Sequence, residues 1–277
     1  MFLELRTAYK KYGILILIAK IIKSLGIRLE TKIKKNLYSK NKNNYQINVD
    51  DDNFSMTFLN YEIGGTIQQR IDGVREPETT TLIKSLLRPG DMVLELGGCY
   101  GYFTMLMANA VSASGKVVSI EGLPNNFEIL ETNIKLNSYK NIECYNFFIA
   151  NGKKTIEFDF NDTNPYKGIK RFRSNDHTFN KNDVISIECI NIPDFLEKIN
   201  FHPTHIFMDI EGFEVDALEQ LSNDYLDNHS PTIVFEYHDQ YYANGKDTEY
   251  LIKLLNSKNY TTKKIYGNIL AFKNYQP

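Results

Sequence analysis

A predicted buried strand that ends in glycines directly before a helix is the feature that most constrains the fold of this chain. Residues 92–96 read MVLEL, glycines follow at positions 97, 98 and 101, and a helical pattern covers residues 101–110. Glycines between a strand and a helix allow a ligand to approach bare backbone at the start of the helix. The pattern therefore predicts a ligand site at the carboxyl end of this strand.

Strands and helices alternate along the rest of the chain. Hydrophobic patterns predict further strands at residues 116–120, 142–148, 205–210 and 232–237, and helices at 77–87, 125–136, 214–221 and 247–256. Gly267 and Asn268 separate two alternating runs, which predicts a hairpin. We therefore expect an α/β fold with a Rossmann-like, doubly wound, mostly parallel sheet and a C-terminal antiparallel hairpin. Residues 151–181 are polar and irregular and are predicted to form an insertion near the site.

The charge of the chain is divided unevenly. Residues 1–45 contain eleven Lys or Arg and two Glu, whereas the whole chain has a net charge of −2. We predict a basic helical extension at 1–45 and one catalytic domain at 46–277. The apolar run at residues 14–19 is followed by Lys20 and Lys23, so it is too short to span a bilayer. Two alternatives stay open for residues 1–35: packing on the domain, or peripheral contact with the inner face of a membrane.

Cysteine usage predicts a cytoplasmic protein. The three cysteines, Cys99, Cys144 and Cys189, are widely spaced and form no CxxC pair. This spacing excludes a disulfide framework and a zinc knuckle, and it fits a reducing compartment. No nucleic acid is expected as a partner, and the sequence leaves open whether the protein forms a homodimer.

Two acidic residues suggest the ligand. Glu95 lies two positions before Gly97, and Glu121 ends the next predicted strand, where a carboxylate can accept hydrogen bonds from ribose hydroxyls. The GxGxxG pattern of dinucleotide sites is absent. A nucleoside with a cationic amino-acid arm, S-adenosylmethionine, fits both acids, although each acid could also be structural. The predicted cofactor-binding residues are Glu76, Glu95, Gly97, Gly98, Cys99, Tyr100, Gly101, Glu121, Gly122 and Asp209.

Four segments together resemble the FkbM-type methyltransferases. The segments are LELGGCYGYF, SIEGLPNNFEILETNIKLN, HIFMDIEGFEVDALEQL and TIVFEYH, and they follow the order of the family's motifs. The chain departs from the family pattern at Cys99, where Asn is usual, and at Met208, where Lys is usual. The resemblance implies a class I methyltransferase fold and methyl transfer from S-adenosylmethionine to an oxygen, often a hydroxyl of a sugar or a complex natural product.

Acidic residues and a histidine follow the last two predicted parallel strands. Asp209 and Glu211 end one strand, Glu236 and His238 end the next, and residues two apart in a strand share a face. His238 is the first candidate for the base that an alcohol acceptor needs, and Glu211 or Glu236 could orient it or replace it. Alternatively, Asp209, Glu211, Glu236 and His238 could hold Mg²⁺. Glu214 is expected only to cap its helix.

The sequence therefore predicts an enzyme that O-methylates a sugar, a glycan or a related hydroxylated small molecule. Two alternatives remain: an NAD(P)-dependent oxidoreductase on a similar fold, and a non-catalytic S-adenosylmethionine-binding scaffold. Tyr100, Tyr102 and Phe103 could line an adenine pocket or pack in the core. The sequence does not identify the acceptor.

Overall fold

The computed structural model describes residues 45–49, 52–56, 76–152, 155–159, 184–242 and 245–273. The predicted basic extension lies outside these residues except for Tyr45. Most of the predicted insertion at 151–181 also lies outside them. Among the helices of the described residues, none is long and apolar enough to cross a membrane.

Twelve strands and seven α-helices are assigned within the described residues. The strands are β1 (Tyr45–Val49), β2 (Asp52–Met56), β3 (Met92–Leu96), β4 (Lys116–Ile120), β5 (Ile142–Tyr145), β6 (Phe148–Ile149), β7 (Thr155–Asp159), β8 (Val184–Ile190), β9 (His205–Met208), β10 (Thr232–Glu236), β11 (Tyr260–Ile265) and β12 (Asn268–Lys273). The helices are α1 (Pro77–Leu86), α2 (Tyr102–Val111), α3 (Pro124–Leu136), α4 (Ile192–Lys198), α5 (Glu214–Gln220), α6 (Asn223–His229) and α7 (Thr248–Ser257).

A seven-stranded sheet forms the centre of the domain, in the order β11-β12-β10-β9-β3-β4-β5. Neighbouring strands from β10 to β5 are parallel, whereas β12 is antiparallel to both β10 and β11. This arrangement confirms the predicted doubly wound sheet with its C-terminal antiparallel hairpin, and it is the class I methyltransferase fold. The strand order reverses at β3, which lies between β4 and β9. Ligands of such sheets bind at the carboxyl ends of the strands, beside this reversal.

The two faces of the sheet bury alternate residues. Leu94, Val118 and Ile206 belong to a core cluster that includes α4 to α7. Val93, Val117 and Phe207 belong to a second cluster that includes α1 to α3 and β2. Because successive side chains of a strand point to opposite faces, strands covered by helices on both faces are apolar throughout. This explains the continuous apolar runs in the sequence.

The predicted strand at 142–148 is wrong as a single element. β5 ends at Tyr145, and the chain then leaves the central sheet so that β6 pairs with β8 in a separate three-stranded sheet of order β6-β8-β7. The amide of Asn146 donates to the carbonyls of Glu121 and Gly122, at 2.8 and 3.2 Å, and so holds the chain at the end of β4. Elements β7, β8, α4 and α6 were not predicted from the sequence.

Candidate active site

A pocket opens at the carboxyl edge of the sheet, beyond the ends of β3, β4 and β9. It encloses about 760 Å³ when the space open to solvent is included. We call it the main pocket; its walls include Gly97, Cys99, Glu121, Phe148, Asp209 and Glu211. A smaller cavity shares Gly97 and Asp209 with it and is also lined by Glu76, Glu95, Glu236 and Asn268.

The predicted cofactor residues are divided between these two spaces. Gly97, Cys99, Glu121, Gly122 and Asp209 line the main pocket. Glu76 and Glu95 line the smaller cavity. Gly98, Tyr100 and Gly101 line neither of the two.

Protein neighbours account for the glycines of the loop after β3. A Cβ on Gly97 would lie 2.0 Å from the carbonyl oxygen of Asp209, and a Cβ on Gly98 would lie 2.2 Å from Oγ of Ser119. Gly97 also has a φ of +95°, which L side chains rarely adopt. The glycines therefore serve the close packing of two loops, whereas the sequence pattern suggested a ligand alone as their cause.

Glu121 lies buried in the wall of the main pocket. Its carboxylate accepts hydrogen bonds from the backbone N–H of Cys99 and of Leu123, both at 2.8 Å, and from the amide of Asn126 at 3.4 Å. Burial raises the pKa of Glu121, and the three donors oppose that rise. The carboxylate joins the loop after β3 to the loop after β4 and borders the main pocket.

Glu95 is placed differently from its prediction as a direct partner of a cation. One oxygen accepts hydrogen bonds from the hydroxyls of Thr104 and Ser119, each at 2.5 Å, and the residue is only 4% exposed. Burial raises the pKa of Glu95 to about 7. The two hydroxyl donors oppose this rise, and the charge of Glu121 adds to it. The carboxylate is thus engaged inside the domain and borders only the smaller cavity.

The tyrosines after the loop belong to the core. Tyr100 is 2% exposed, and its carbonyl accepts a hydrogen bond from the amide of Asn133 at 2.8 Å. Tyr102 is also buried and makes edge-on contacts with Phe54 and Phe103. Of the three aromatic residues proposed for an adenine pocket, Phe103 alone lines one of the two cavities, the smaller one.

The acidic residues and the histidine that follow β9 and β10 do converge. Nε2 of His238 lies 3.8 Å from Asp209 Oδ1, 3.8 Å from Glu211 Oε2 and 3.9 Å from Glu236 Oε1. We call these four residues the carboxylate cluster. β9 ends at Met208, so the predicted strand geometry for Asp209 and Glu211 is wrong. Glu211 instead has a φ of +49° in a turn that brings it beside His238.

His238 is almost fully buried, and Glu214 and Tyr242 contact it inside the domain. Nδ1 lies 3.1 Å from Oε1 of Glu214, and the backbone N–H donates to the hydroxyl of Tyr242 at 3.0 Å. Burial alone would lower the pKa of His238. The hydrogen bond to Glu214 and the charges of Glu214, Asp209 and Glu211 outweigh burial and raise this pKa to about 9.

Asp209 shares the negative field of the cluster. Burial, together with the charges of Glu236, Glu211 and Glu76, raises the pKa of Asp209, whereas His238 opposes the rise. The charged described residues that line the main pocket and the smaller cavity are Glu76, Glu95, Glu121, Asp209, Glu211 and Glu236. The lining of both spaces is therefore acidic, with no Lys or Arg among those residues.

Several residues of the site were not predicted from the sequence. The aromatic lining of the main pocket comes from Phe147, Phe148 and Phe213, which follow β5 or precede α5. Asn126 lines the same pocket and donates to Glu121. Asn126 shares its buried helix face with Leu130, Asn133 and Ile134, so a polar residue within an apolar helical pattern was the available signal for it. No local signal marked the three phenylalanines.

Two family models match the chain. Residues 95–262 match the methyltransferase FkbM domain, and residues 17–171 match protein-L-isoaspartate(D-aspartate) O-methyltransferase. The first match contains both the loop after β3 and the carboxylate cluster. The second match ends before β9 and β10, so it does not contain the cluster.

Two curated relatives match shorter stretches. Protein-L-isoaspartate O-methyltransferase 2 of Archaeoglobus fulgidus is 39% identical over 71 residues, which are 26% of this chain and 31% of that protein. Protein-L-isoaspartate O-methyltransferase of Methanothrix thermoacetophila is 41% identical over 56 residues, 20% of this chain and 27% of that protein. The matches thus span less than a third of either relative.

Solved structures of similar fold were also found. A precorrin-6y C5,15-methyltransferase of Geobacter metallireducens has a TM-score of 0.44 at 12% identity, covering 72% of this chain and 89% of that chain. Fibrillarin of Aeropyrum pernix, with natively bound S-adenosyl-L-methionine, has a TM-score of 0.42 at 13% identity and covers 70% and 74%. An O-methyltransferase of Bacillus cereus has a TM-score of 0.40 at 14% identity and covers 72% and 82%.

Proposed function

Because this chain belongs to the FkbM methyltransferase family, we propose that it transfers a methyl group from S-adenosylmethionine to a hydroxyl oxygen of a sugar, a glycan or a related metabolite. The observation that carries the proposal is the carboxylate cluster beside the main pocket. A hydroxyl acceptor needs a group that receives its proton, and the cluster offers several such groups.

The lining of the two cavities fits S-adenosylmethionine. Glu121 offers carboxylate oxygens to ribose hydroxyls, Phe148 offers an apolar wall, and the acidic lining complements a cation. When bound, S-adenosylmethionine supplies an electrophilic methyl group attached to a positively charged sulfur. An NAD(P) pyrophosphate would face the same carboxylates, and the described residues that line the two cavities include no Lys or Arg, so this lining disfavours the oxidoreductase alternative.

The charge of the cluster also favours a hydroxyl acceptor over a carboxylate. Isoaspartate, which the curated relatives' names specify, carries a carboxylate that would have to approach Asp209, Glu211 and Glu236. Like charges at close range cost free energy in a partly buried site. A neutral hydroxyl meets no such repulsion and can donate a hydrogen bond to one of these oxygens.

The raised pKa of His238 changes its proposed role. With a pKa of about 9, the imidazole is protonated at neutral pH and cannot accept another proton. We therefore assign proton acceptance to Glu211 and Glu236, which are more exposed than His238. As the acceptor oxygen forms its bond to the methyl carbon, the bond between that carbon and the sulfur breaks, and the hydroxyl proton passes to one of these carboxylates. His238 then balances the negative charge of the cluster.

Mg²⁺ fits the cluster poorly. Mg²⁺ is bound through oxygen ligands and water, whereas imidazole suits the later transition metals. The described groups that approach one another closely enough to share an ion are Asp209, Glu211 and His238, and one of the three is an imidazole. No step of the proposed reaction uses Mg²⁺, and dialysis against EDTA is expected to leave methyl transfer unchanged. Loss of transfer that added Mg²⁺ restores would contradict this view.

The experiment that tests the function measures binding and transfer with the full-length protein. Calorimetry should show binding of S-adenosylmethionine and S-adenosylhomocysteine and no binding of NADH. Radiolabelled methyl groups should then pass to hydroxylated glycans and not to an isoaspartyl peptide. Transfer to the peptide alone would overturn the hydroxyl proposal. If the protein binds S-adenosylmethionine but transfers no methyl group to any molecule in an extract of a strain that lacks the gene, the non-catalytic scaffold is favoured.

Matched variants test the assignment of the base. Glu211→Gln and Glu236→Gln each remove a proton acceptor at nearly constant size, and at least one should reduce transfer by about 100-fold or more. Glu219→Gln is the control, because Glu219 pairs with Lys246 outside the cluster.

Comparative mass spectrometry of glycans from producing and deleted cells would identify the acceptor by the loss of one methylene mass.

Membrane contact and self-association are further proposals. Residues 1–35 lie outside the described residues, and their basic charge supports contact with an anionic membrane surface. Flotation with anionic vesicles, compared with neutral vesicles and with a Lys20→Glu, Lys23→Glu variant, would test the contact. Light scattering would test for a homodimer.

A further inference from the structure

We propose that Glu214 is a positioning residue of the active site, and that its single carboxylate sets both the orientation of the His238 ring and the turn that carries Glu211. The role in methyl transfer rests on the function proposed above, whereas the positioning itself can be measured without that function. The sequence alone assigned Glu214 only to capping of α5.

The burial of Glu214 argues against a role in capping alone. Glu214 begins α5, and its exposed fraction is 0%. Taking a carboxylate out of water is costly unless hydrogen bonds or charges compensate for the lost hydration. The same first turn contains Asp216, which is partly exposed and interacts equally well with the helix dipole. The buried carboxylate therefore needs a reason beyond the helix.

The contacts of Glu214 supply that reason. Its Oε1 accepts a hydrogen bond from the backbone N–H of Ile210 at 3.1 Å and lies 3.1 Å from Nδ1 of His238. Ile210 lies in the turn after β9, and His238 follows β10. One oxygen thus joins the turn that carries Asp209 and Glu211 to the residue His238 that follows β10.

The turn around Ile210 requires such support. Glu211 has a φ of +49° and Gly212 a φ of +98°. A glutamate in the left-handed region is held there only when its surroundings favour that conformation. The hydrogen bond to Ile210 N–H stabilises the turn immediately before Glu211, and Glu211 then lies 3.8 Å from His238.

The bond to His238 determines which nitrogen faces the acceptor. A carboxylate at Nδ1 requires a proton on that nitrogen, so the ring cannot turn over without losing the bond. Nε2 is thereby directed at Asp209, Glu211 and Glu236. Glu214 does not touch the reacting groups and acts through the two residues that it holds.

The test uses full-length protein labelled with ¹⁵N in its five histidines. A His238→Gln variant identifies the His238 signals. In the wild-type protein, Nδ1–H of His238 should give a proton signal that is shifted strongly downfield by the carboxylate. Glu214→Gln, which keeps size and an acceptor oxygen, should shift this signal upfield. Glu214→Asp, which is one methylene shorter, should abolish it. Unchanged signals in both variants would overturn the proposal.

Kinetics add a second measurement. Glu214→Asp should lower kcat for methyl transfer by about 100-fold and leave the Kd for S-adenosylhomocysteine within about 3-fold. Glu214→Gln should recover part of the lost kcat. Asp216→Asn is the matched control from the same helical turn and should change neither the spectrum nor kcat. Equal losses in the Asp216 and Glu214 variants would reduce Glu214 to a helix-stabilising residue.

The two proposals can fail separately. If the wild-type protein transfers no methyl group to any hydroxyl and the His238 signal still responds to the Glu214 variants, the proposed function fails and the positioning role stands. If transfer occurs and the signal does not respond, the positioning role fails alone. Circular dichroism and binding of S-adenosylhomocysteine confirm that each variant is folded.

Discussion

Several residues of the site have backbone conformations that only surrounding contacts can maintain. Cys99 and Glu211 line the main pocket with φ values of +50° and +49°, and Glu76 lines the smaller cavity with a φ of +46°. Such conformations cluster at functional sites because the rest of the fold stabilises them. Cys99 turns the chain after β3 and Glu211 turns it after β9, and the second turn brings Glu211 beside His238.

Gly97→Ala tests this close approach of the two loops. The added Cβ would lie 2.0 Å from a backbone oxygen of Asp209, so either loop must shift. We expect a loss of more than about 3 kcal/mol in the free energy of unfolding and loss of binding of S-adenosylhomocysteine. Urea denaturation and calorimetry measure the two effects.

Gly152→Ala is the control for backbone conformation alone. Gly152 has a φ of +69°, and a Cβ added there would meet open space, with no atom of a described residue beyond its chain neighbours within 4 Å. This variant should lose only about 1–2 kcal/mol and keep ligand binding. If the two variants were equally stable, the contact with Asp209 would not be the reason for glycine at position 97.

Glu95→Gln should reveal the cost of a buried carboxylate. The pKa of Glu95 is raised from 4.5 to about 7, so the unfolded chain loses this proton at lower pH than the folded protein does. Stability from this group is fully present below pH 4.5 and is lost as pH rises through about 7. Glutamine offers the same acceptor to Thr104 and Ser119 without ionising. We expect the variant to gain up to about 3 kcal/mol over the wild type between about pH 5 and pH 8.

Thermal or urea denaturation of both proteins at about pH 5 and about pH 8 measures the difference in their free energies of unfolding. Groups such as Asp209 and His238 are common to both proteins and therefore cancel. Glu143→Gln is the control of opposite sign, because the hydrogen bond from Lys116 lowers the pKa of Glu143. It should gain nothing over the wild type as pH rises. A Glu95 variant whose advantage does not grow with pH would contradict the raised pKa.

At the scale of elements, helix α3 connects the site to the hairpin β1–β2. Asn133, on this helix, donates to the carbonyl of Tyr100 in the loop after β3. Asn137, at its C-terminal end, accepts from the backbone N–H of Ser55 and donates to the Ser55 carbonyl, both at 2.7 Å. The two residues are four apart and therefore share one helix face. The four-residue spacing of Asn133 and Asn137 thus gives the helix two anchors on backbone groups.

Asn137→Ala should loosen the hairpin and leave the sheet intact. The substitution removes both hydrogen bonds to Ser55, which are worth about 0.5–1.5 kcal/mol each. Hydrogen exchange followed by mass spectrometry should show faster exchange in residues 52–56 and unchanged exchange in β3 and β4. Thr132→Ala, an exposed position on the same helix, is the control. Equal exchange in both variants would show that packing of Phe54 and Met56, not Asn137, holds the hairpin.

At the scale of the whole molecule, acidic residues are concentrated around the main pocket and the smaller cavity. Among the described residues, six acidic ones line the two cavities and produce a field that attracts a cation, and His238 offsets only part of it. S-adenosylmethionine carries one more positive charge than S-adenosylhomocysteine, and the two otherwise differ only by the methyl group. A comparison of their dissociation constants therefore measures the effect of this field on the ligand's positive charge.

The affinity ratio of these two ligands should depend on salt. The Debye length falls from about 30 Å at 0.01 M salt to about 8 Å at 0.15 M. We expect the Kd for S-adenosylmethionine to rise by about 3- to 10-fold over this range, and the Kd for S-adenosylhomocysteine to change less. Calorimetry at the two salt concentrations measures both constants. A constant ratio would mean that the acidic lining does not act on the bound cation.

The sequence by itself determined the architecture of this protein. Continuous apolar runs, helices with apolar faces and the Gly267-Asn268 turn are local signals, and together they predicted the doubly wound sheet and its antiparallel hairpin. The strand-terminal acids were also predictable, because parallel strands bring their carboxyl ends to one edge. Glu121, Asp209, Glu211, Glu236 and His238 all lie at that edge.

Only the tertiary structure decided which partners these side chains have. Glu95 and Glu121 both lie near the carboxyl ends of neighbouring strands, yet Glu95 bonds to two buried hydroxyls and Glu121 to the loops of the main pocket. Glu214 looked like a helix cap and instead holds His238. The break between β5 and β6 depends on Asn146, which bonds to residues about 25 positions away. Contacts between residues far apart in the chain leave no periodic pattern, because they depend on how the finished elements pack together.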